Sequence, residues 1–171
     1  MNAFTNEVFE VNQLPKIQQI SFEKLDVKYL YVNLSFRLGV AILIGTGLFM
    51  VNYIQPIPYF IPILGSVSLL IINMLLFGFL GFYKKAFAIR EKDISYRSGL
   101  LFHSITTIPL SRIQHTEIVQ GPVSRLFGLG AVKIYTAGGS SSDIVIPGLA
   151  YSEAESIRAF INVKISGNEP A

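Results

Sequence analysis

From Leu38 to Phe82 the chain contains no aspartate, glutamate, lysine or arginine. The flanks carry ordinary charge, although the whole is 51% hydrophobic and only 15% charged, against about 25% in an average soluble protein. A uniformly apolar globule would not concentrate its charges this way. The pattern describes a membrane segment joined to water-soluble parts.

The segment divides into two spans. Residues 34–54 run from Leu34 to Ile54 and would cover about 30 Å as a helix, the thickness of a bilayer core. Arg37 lies in the first turn of that span, where a long side chain can snorkel to the headgroups. Residues 59–82, from Tyr59 to Phe82, are uncharged, and each span passes the roughly 18-residue threshold for crossing a membrane. Only Gln55-Pro56-Ile57-Pro58 separates them. A link of residues 55–58 forces an antiparallel hairpin, and its prolines stop the first helix. That turn has no basic residue, whereas Lys84, Lys85, Arg90 and Lys92 follow the second span. The positive-inside rule then places both termini in the cytoplasm, with the chain multi-pass in the cytoplasmic membrane. Tyr53 and Tyr59 suit the outer interface and Tyr83 the inner one.

Gly39, Gly45, Gly47, Gly65, Ser66 and Ser68 give the spans small faces suited to close helix packing. Asn73 is the one strongly polar side chain deep in the second span. With no ionisable group beside it, an interhelical hydrogen bond or a dimer contact fits better than a transport path.

Residues 1–33 are too few for a domain of their own. Met1 to Glu10 carries two glutamates and no basic residue, unlike a signal peptide. Phe22, Leu25, Tyr29, Leu30 and Tyr31 interleave with Glu23, Asp26 and Lys28, which reads as an interfacial helix leading into the first span.

Residues 83–166 form the soluble domain and 167–171 a flexible tail. Ala86–Glu91 and Ile94–Ser98 alternate apolar and polar residues about a Lys92-Asp93 turn, as half-buried strands do. Gly99 breaks the second. Further β-type runs cover Leu101–Ile108, Arg112–Gln120, Ala131–Thr136 and Asp143–Ile146. Gly138 to Ser142 reads as a hairpin turn, Pro122 to Phe127 as one helical turn with proline at its start. Ser152 and Glu155 form a capping-box pair, after which Ala154, Ile157, Phe160, Ile161 and Ile165 recur at helical spacing. Short antiparallel strands closed by one amphipathic helix suggest a small barrel or sandwich plugged by that helix.

The run Ile108-Pro-Leu-Ser-Arg-Ile-Gln-His-Thr-Glu-Ile-Val-Gln-Gly-Pro-Val-Ser-Arg-Leu-Phe-Gly-Leu-Gly-Ala-Val-Lys-Ile-Tyr-Thr-Ala-Gly-Gly139, followed by Ile146-Pro-Gly-Leu149, resembles the bacterial pleckstrin-homology (PH) membrane proteins of the YdbS-like type. The likeness covers the soluble domain closely and the hairpin more loosely. It implies a PH-like split barrel: two roughly orthogonal antiparallel sheets capped by a C-terminal helix. It also implies partnership with a larger, related membrane protein carrying several copies of the domain. A shared fold does not transfer a ligand.

Little in the chain argues for an enzyme. There is no cysteine, which removes disulfides, thiolate catalysis and cysteine metal sites. His103 and His115 are the only histidines and have no metal-ligand spacing, so a structural or surface role is expected. No serine has a nucleophile-elbow setting, the carboxylates are scattered, and Gly128-Leu-Gly130 precedes a strand, the reverse of a phosphate loop. No cofactor or metal is implied. The net charge of +3 is orientation signal rather than a nucleic-acid patch.

Lys84, Lys85, Arg90 and Lys92 stand as candidate contacts to anionic lipid, worth roughly 1 kcal/mol per close charge, beside their role in topology. Arg112 and Arg125 are candidate contacts to an acidic partner or phosphate, or braces for the Gln120-Gly121-Pro122-Val123 loop. Leu126 and Phe127 either fill the mouth of the barrel, the expected outcome, or present an anchor to a partner. The expected role is a non-enzymatic membrane scaffold associating with a related PH-domain protein or with itself. A binder of lipid headgroups or a small ligand is the alternative, and an accessory subunit of a transport or stress-response complex a third.

Overall fold

The computed structural model describes residues 20–137 and 142–167. All but Ser142 of the expected 138–142 turn, residues 1–19 and all but Gly167 of the tail lie outside the described residues.

Two helices, α1 (Lys28–Ile54) and α2 (Phe60–Tyr83), form the hairpin. Both are long and apolar enough to cross a membrane, and their large side chains, Leu43 and Ile61 among them, face outward with no protein to cover them. Asn52 Oδ1 accepts a 3.1 Å hydrogen bond from the Ile57 N–H and so fastens the link between them. The small-residue faces do not make the contact. A Cβ at Gly39, Gly45, Gly47 or Gly65 would meet nothing within 4 Å. Asn73 does not reach across either: its Nδ2 donates to Leu69 O on its own helix at 2.9 Å.

The soluble domain begins before the hairpin. Strand β1 (Glu23–Lys24) pairs antiparallel with β2 (Ala86–Ile89), Glu23 opposite Phe87 and Lys24 opposite Ala86. The expected interfacial helix over Phe22–Tyr31 is thus replaced by a strand, a turn and the first residues of α1. The reason is burial: Leu25 and Leu30 are 4% and 8% exposed and join the core of the domain, each worth about 1.5–3 kcal/mol when fully buried. The hairpin is therefore an insertion within the domain, between its first two strands.

Sheet order β1-β2-β3-β4 follows chain order, with β3 at Asp93–Ser98 and β4 at Ser104–Pro109. Strand β4 starts three residues later than its apolar run suggested, which leaves Leu101 and Phe102 in a turn. A 3-10 turn at Leu110–Arg112 leads into the second sheet, β5 (Ile113–Val119), β6 (Leu129–Thr136) and β7 (Ile144–Ala150). Helix α3 (Pro122–Leu126), with Pro122 in its first turn, joins β5 to β6.

Helix α4 (Tyr151–Ser166) packs Ala154, Ile157 and Ile161 onto the sheets, against Phe87, Ile94, Val132, Ile134, Ile146 and Leu149. Its expected capping box is displaced. The Tyr151 N–H donates to Gly128 O at 3.0 Å, which starts the helix with Ala150 as N-cap, so Glu153 rather than Glu155 occupies the third helical position. The Glu153 carboxylate accepts from the Ala150 N–H, half of a capping box. Burial holds the pKa of Glu153 above its usual value, Ala150 opposes that, and the nearby Glu23 and Asp26 add to it. In the first sheet the buried Ser95 shares a 2.8 Å hydrogen bond with Thr107 across β3 and β4.

Candidate functional site at the base of the hairpin

Arg37 is the only charged residue of the first span read from the sequence, and it does not extend away from the hairpin. Its Nε donates to Asn33 Oδ1 at 2.7 Å, and its Nη1 crosses to α2 and donates to the Met74 carbonyl at 2.6 Å. A helical carbonyl is normally shielded by its own ladder and by the side chain one turn on. Here that residue is Gly78, where an added Cβ would come within 2.5–2.7 Å of the guanidinium. The missing side chain at Gly78 gives Arg37 its seat. An arginine in an apolar span needs such partners, because an unpaired charge among apolar surroundings is costly.

Arg37 lines a groove of about 600 Å3 between the hairpin and the loop that carries α3. Phe36, Val40 and Met74 form the helical wall, and Pro122 and Val123 the opposing one. The bonds to Asn33 and Met74 use two of the five N–H donors of a guanidinium. The groove thus combines apolar walls with one fixed positive charge. That chemistry suits an amphipathic occupant carrying an anionic group.

Tyr29 lines the same groove. The Asp26 N–H donates to Gly148 O at 3.0 Å, which seats Tyr29 against Gly148. Gly148 has φ 67°, and its Cβ position is occupied by the Tyr29 ring and Cβ. Tyr29 also stands 6.4 Å from the Phe82 ring, and Lys85 Nζ lies 5.3 Å above it. Tyr96 on β3 is pushed up to about 12, by burial first and by neighbouring Tyr29 second.

The basic residues named from the sequence separate into two groups. Lys84 is exposed just after α2, and Lys85 is partly covered by Tyr29. Arg90 lies at the other end of β2, about 13 Å on at 3.3 Å per residue, and clamps Asp93 with bonds of 2.7 and 2.6 Å. Lys92 shares that turn, and its carbonyl accepts from the Leu110 N–H. Exposed Arg112 follows at the end of the 3-10 turn. Arg125 is exposed on α3, and the loop before it is braced instead by Gln120, whose Nε2 donates to Leu129 O at 2.8 Å. Leu126 and Phe127 are 86% and 38% exposed, so neither fills the barrel. That place is taken by Leu129, 1% exposed.

His115 stacks on Tyr135, ring centroids 4.2 Å apart, and the Tyr135 hydroxyl donates to Glu117 at 2.9 Å, a bond that raises the tyrosine pKa. This is a cross-strand ladder on the outer face of the second sheet. Among the described residues no group of three histidines or carboxylates is placed to hold a metal ion.

Asn33, Met74, Gly78 and Tyr29 were not singled out by the sequence as site residues. The available signal was Arg37 itself, a charge in an otherwise uncharged span with an asparagine one turn before it.

Comparison with known proteins agrees with this architecture. No solved structure matches the chain significantly. The UPF0699 transmembrane protein YdbS of Bacillus subtilis (strain 168) is 30% identical over 127 residues, 72% of this chain and 78% of that protein. The family model for the bacterial PH domain matches residues 33–164, taking in most of the hairpin, β2 to β7 and most of α4 but not β1. With a membrane hairpin set into a PH-like barrel, this chain is a membrane protein of the bacterial PH-domain family, similar to YdbS.

Proposed function

We propose that this protein is a non-enzymatic, membrane-anchored scaffold, both termini cytoplasmic, that docks onto another membrane protein: a related one with several PH-like domains, or a second copy of itself. The observation that carries this reading is the core shared by hairpin and domain. Leu25, Leu30 and Phe82 belong to one apolar cluster with Phe87, Ile146 and Leu149. A domain keyed this way to its anchor presents its surfaces at a set height and angle, as a docking module requires. The lysines after α2, with none in the 55–58 link, support the orientation.

Photo-crosslinking in native membranes from Leu126, followed by solubilisation in mild detergent, tests the proposal. The expected adduct is a membrane protein bearing PH-like domains or a dimer of this chain. Recovery as an unmodified monomer at every exposed position of α3 overturns it.

The Arg37 groove favours a second reading, a binder of an anionic amphiphile such as a lipid headgroup with its chains. Native mass spectrometry of the full chain from anionic and zwitterionic nanodiscs separates the two. Retained anionic lipid that is lost in Arg37→Ala but kept in Lys84→Ala/Lys85→Ala supports the groove, and equal retention in all three removes it.

A further inference from the structure

Leu101 and Phe102 are 72% and 88% exposed, in the turn between β3 and β4. The strand register locates that turn. Ala86, the first residue of β2, pairs with Arg97, and Ser98 pairs with Ser104 just beyond. Only Lys84 and Lys85 separate Ala86 from the end of α2 at Tyr83. Residues 99–103 therefore project past the hairpin end of the sheet, alongside the two lysines.

The two turns that bracket β3 have opposite chemistry. The far one is Arg90-Glu91-Lys92, wholly charged, and the near one is Gly99-Leu100-Leu101-Phe102-His103, with no acid. Exposure alone would not identify an occupant, but position and charge do. The turn lies at the hairpin end of the sheet, where Lys84, Lys85 and Arg97 flank it. Asp26, which accepts from the Lys28 N–H, lies beyond β1 at the far edge, so the charge nearest the turn is cationic, as an anionic headgroup layer requires. Exposed Leu126 on α3, beside the groove that α1 shares with Val123, lies at the same end.

We propose that Leu101 and Phe102 insert into the bilayer that holds α1 and α2, in the leaflet next to the domain, and form a third point of attachment that sets the domain's tilt. This rests on the membrane-anchored reading above. It adds a lipid contact made by the soluble domain itself.

The chain lacks cysteine, so single-cysteine variants of the full chain take one label each. Phe77→Cys on α2, Phe102→Cys and Glu91→Cys are labelled with an environment-sensitive fluorophore and placed in phosphatidylglycerol/phosphatidylethanolamine vesicles containing nitroxide-labelled lipid. The expected result is a blue shift and strong lipid quenching at 77 and 102, with iodide quenching only at 91. Lipid quenching at 77 but not at 102 overturns the insertion and leaves the anchor standing. Failure at both positions overturns the anchor itself. Protection of 102 from iodide without lipid quenching assigns the turn to a protein contact and also overturns the proposal.

Because an apolar label can draw a loop into lipid, Leu101→Asp/Phe102→Asp provides a label-free check. Tryptic cleavage at Lys84 and Arg97 should accelerate severalfold in vesicles and stay unchanged in detergent. Equal rates in vesicles count against insertion.

Discussion

The Arg37 guanidinium occupies the space that a side chain at Gly78 would fill, and from there it reaches the Met74 carbonyl. Two of its donors are thus satisfied within the hairpin while its charge stays open to the groove, and the two helices are registered to each other by one polar contact. Gly78→Ala should cost about 1–3 kcal/mol by overpacking, read as a lower unfolding temperature in detergent. Arg37→Ala should make the same glycine change nearly neutral. Additive effects of the two substitutions would show that the contact does not set the packing.

Leu25 precedes the hairpin yet lies in the core behind it. Leu25→Ala should therefore destabilise the soluble domain by about 2–5 kcal/mol, as in other buried leucine truncations. A fragment of residues 84–167 should lack a cooperative melt, and covalent linkage of residues 20–31 to it should restore one. A cooperative melt from the short fragment alone would contradict the discontinuous domain.

Gly148 is constrained twice, by its positive φ and by Tyr29. Gly148→Ala should lower stability by about 1–3 kcal/mol from backbone strain and further from the clash. Tyr29→Ala should recover only the part of the clash made by the ring, since the φ and the contact with the residue 29 Cβ are unchanged. Thermal melts of the single and double variants check this, and full recovery would locate the whole cost in the ring.

Tyr96 gives the domain an alkaline limit. With its pKa raised to about 12, the folded state keeps a proton that the unfolded chain releases near its ordinary value of about 10. Stability is full below that lower value and falls as pH rises toward the upper one. Melting temperatures between the two values should decline less steeply in Tyr96→Phe. On the acid side, Asp143 is held below its usual pKa by the Thr136 hydroxyl and N–H. Its contribution is present above the unfolded value and lost as pH falls through the folded one, so Asp143→Asn should flatten the acid limb.

The sequence carries the hairpin, the strand alternation and the α4 stripe openly, because each is a periodic pattern written in consecutive residues. It does not reveal β1. Glu23 and Lys24 become a strand only by pairing with Phe87 and Ala86, a contact far away along the chain, and local propensity cannot register it. The same holds for Arg37: snorkelling is the local solution, whereas the seat at Gly78 depends on how α1 meets α2. Leu126 was expected inside because apolar residues usually are. Leu129, three residues on, takes the place instead.

The insertion of the hairpin between β1 and β2 also orders events in time. On the ribosome β1 emerges first, but its partner strand cannot appear until both apolar helices have been synthesised. The first sheet therefore cannot acquire its edge strand ahead of the membrane segment, and if the hairpin failed to settle, β1 and β2 would be left without a common border. Closure of the sheet's edge thus waits, by the order of the chain, on both helices.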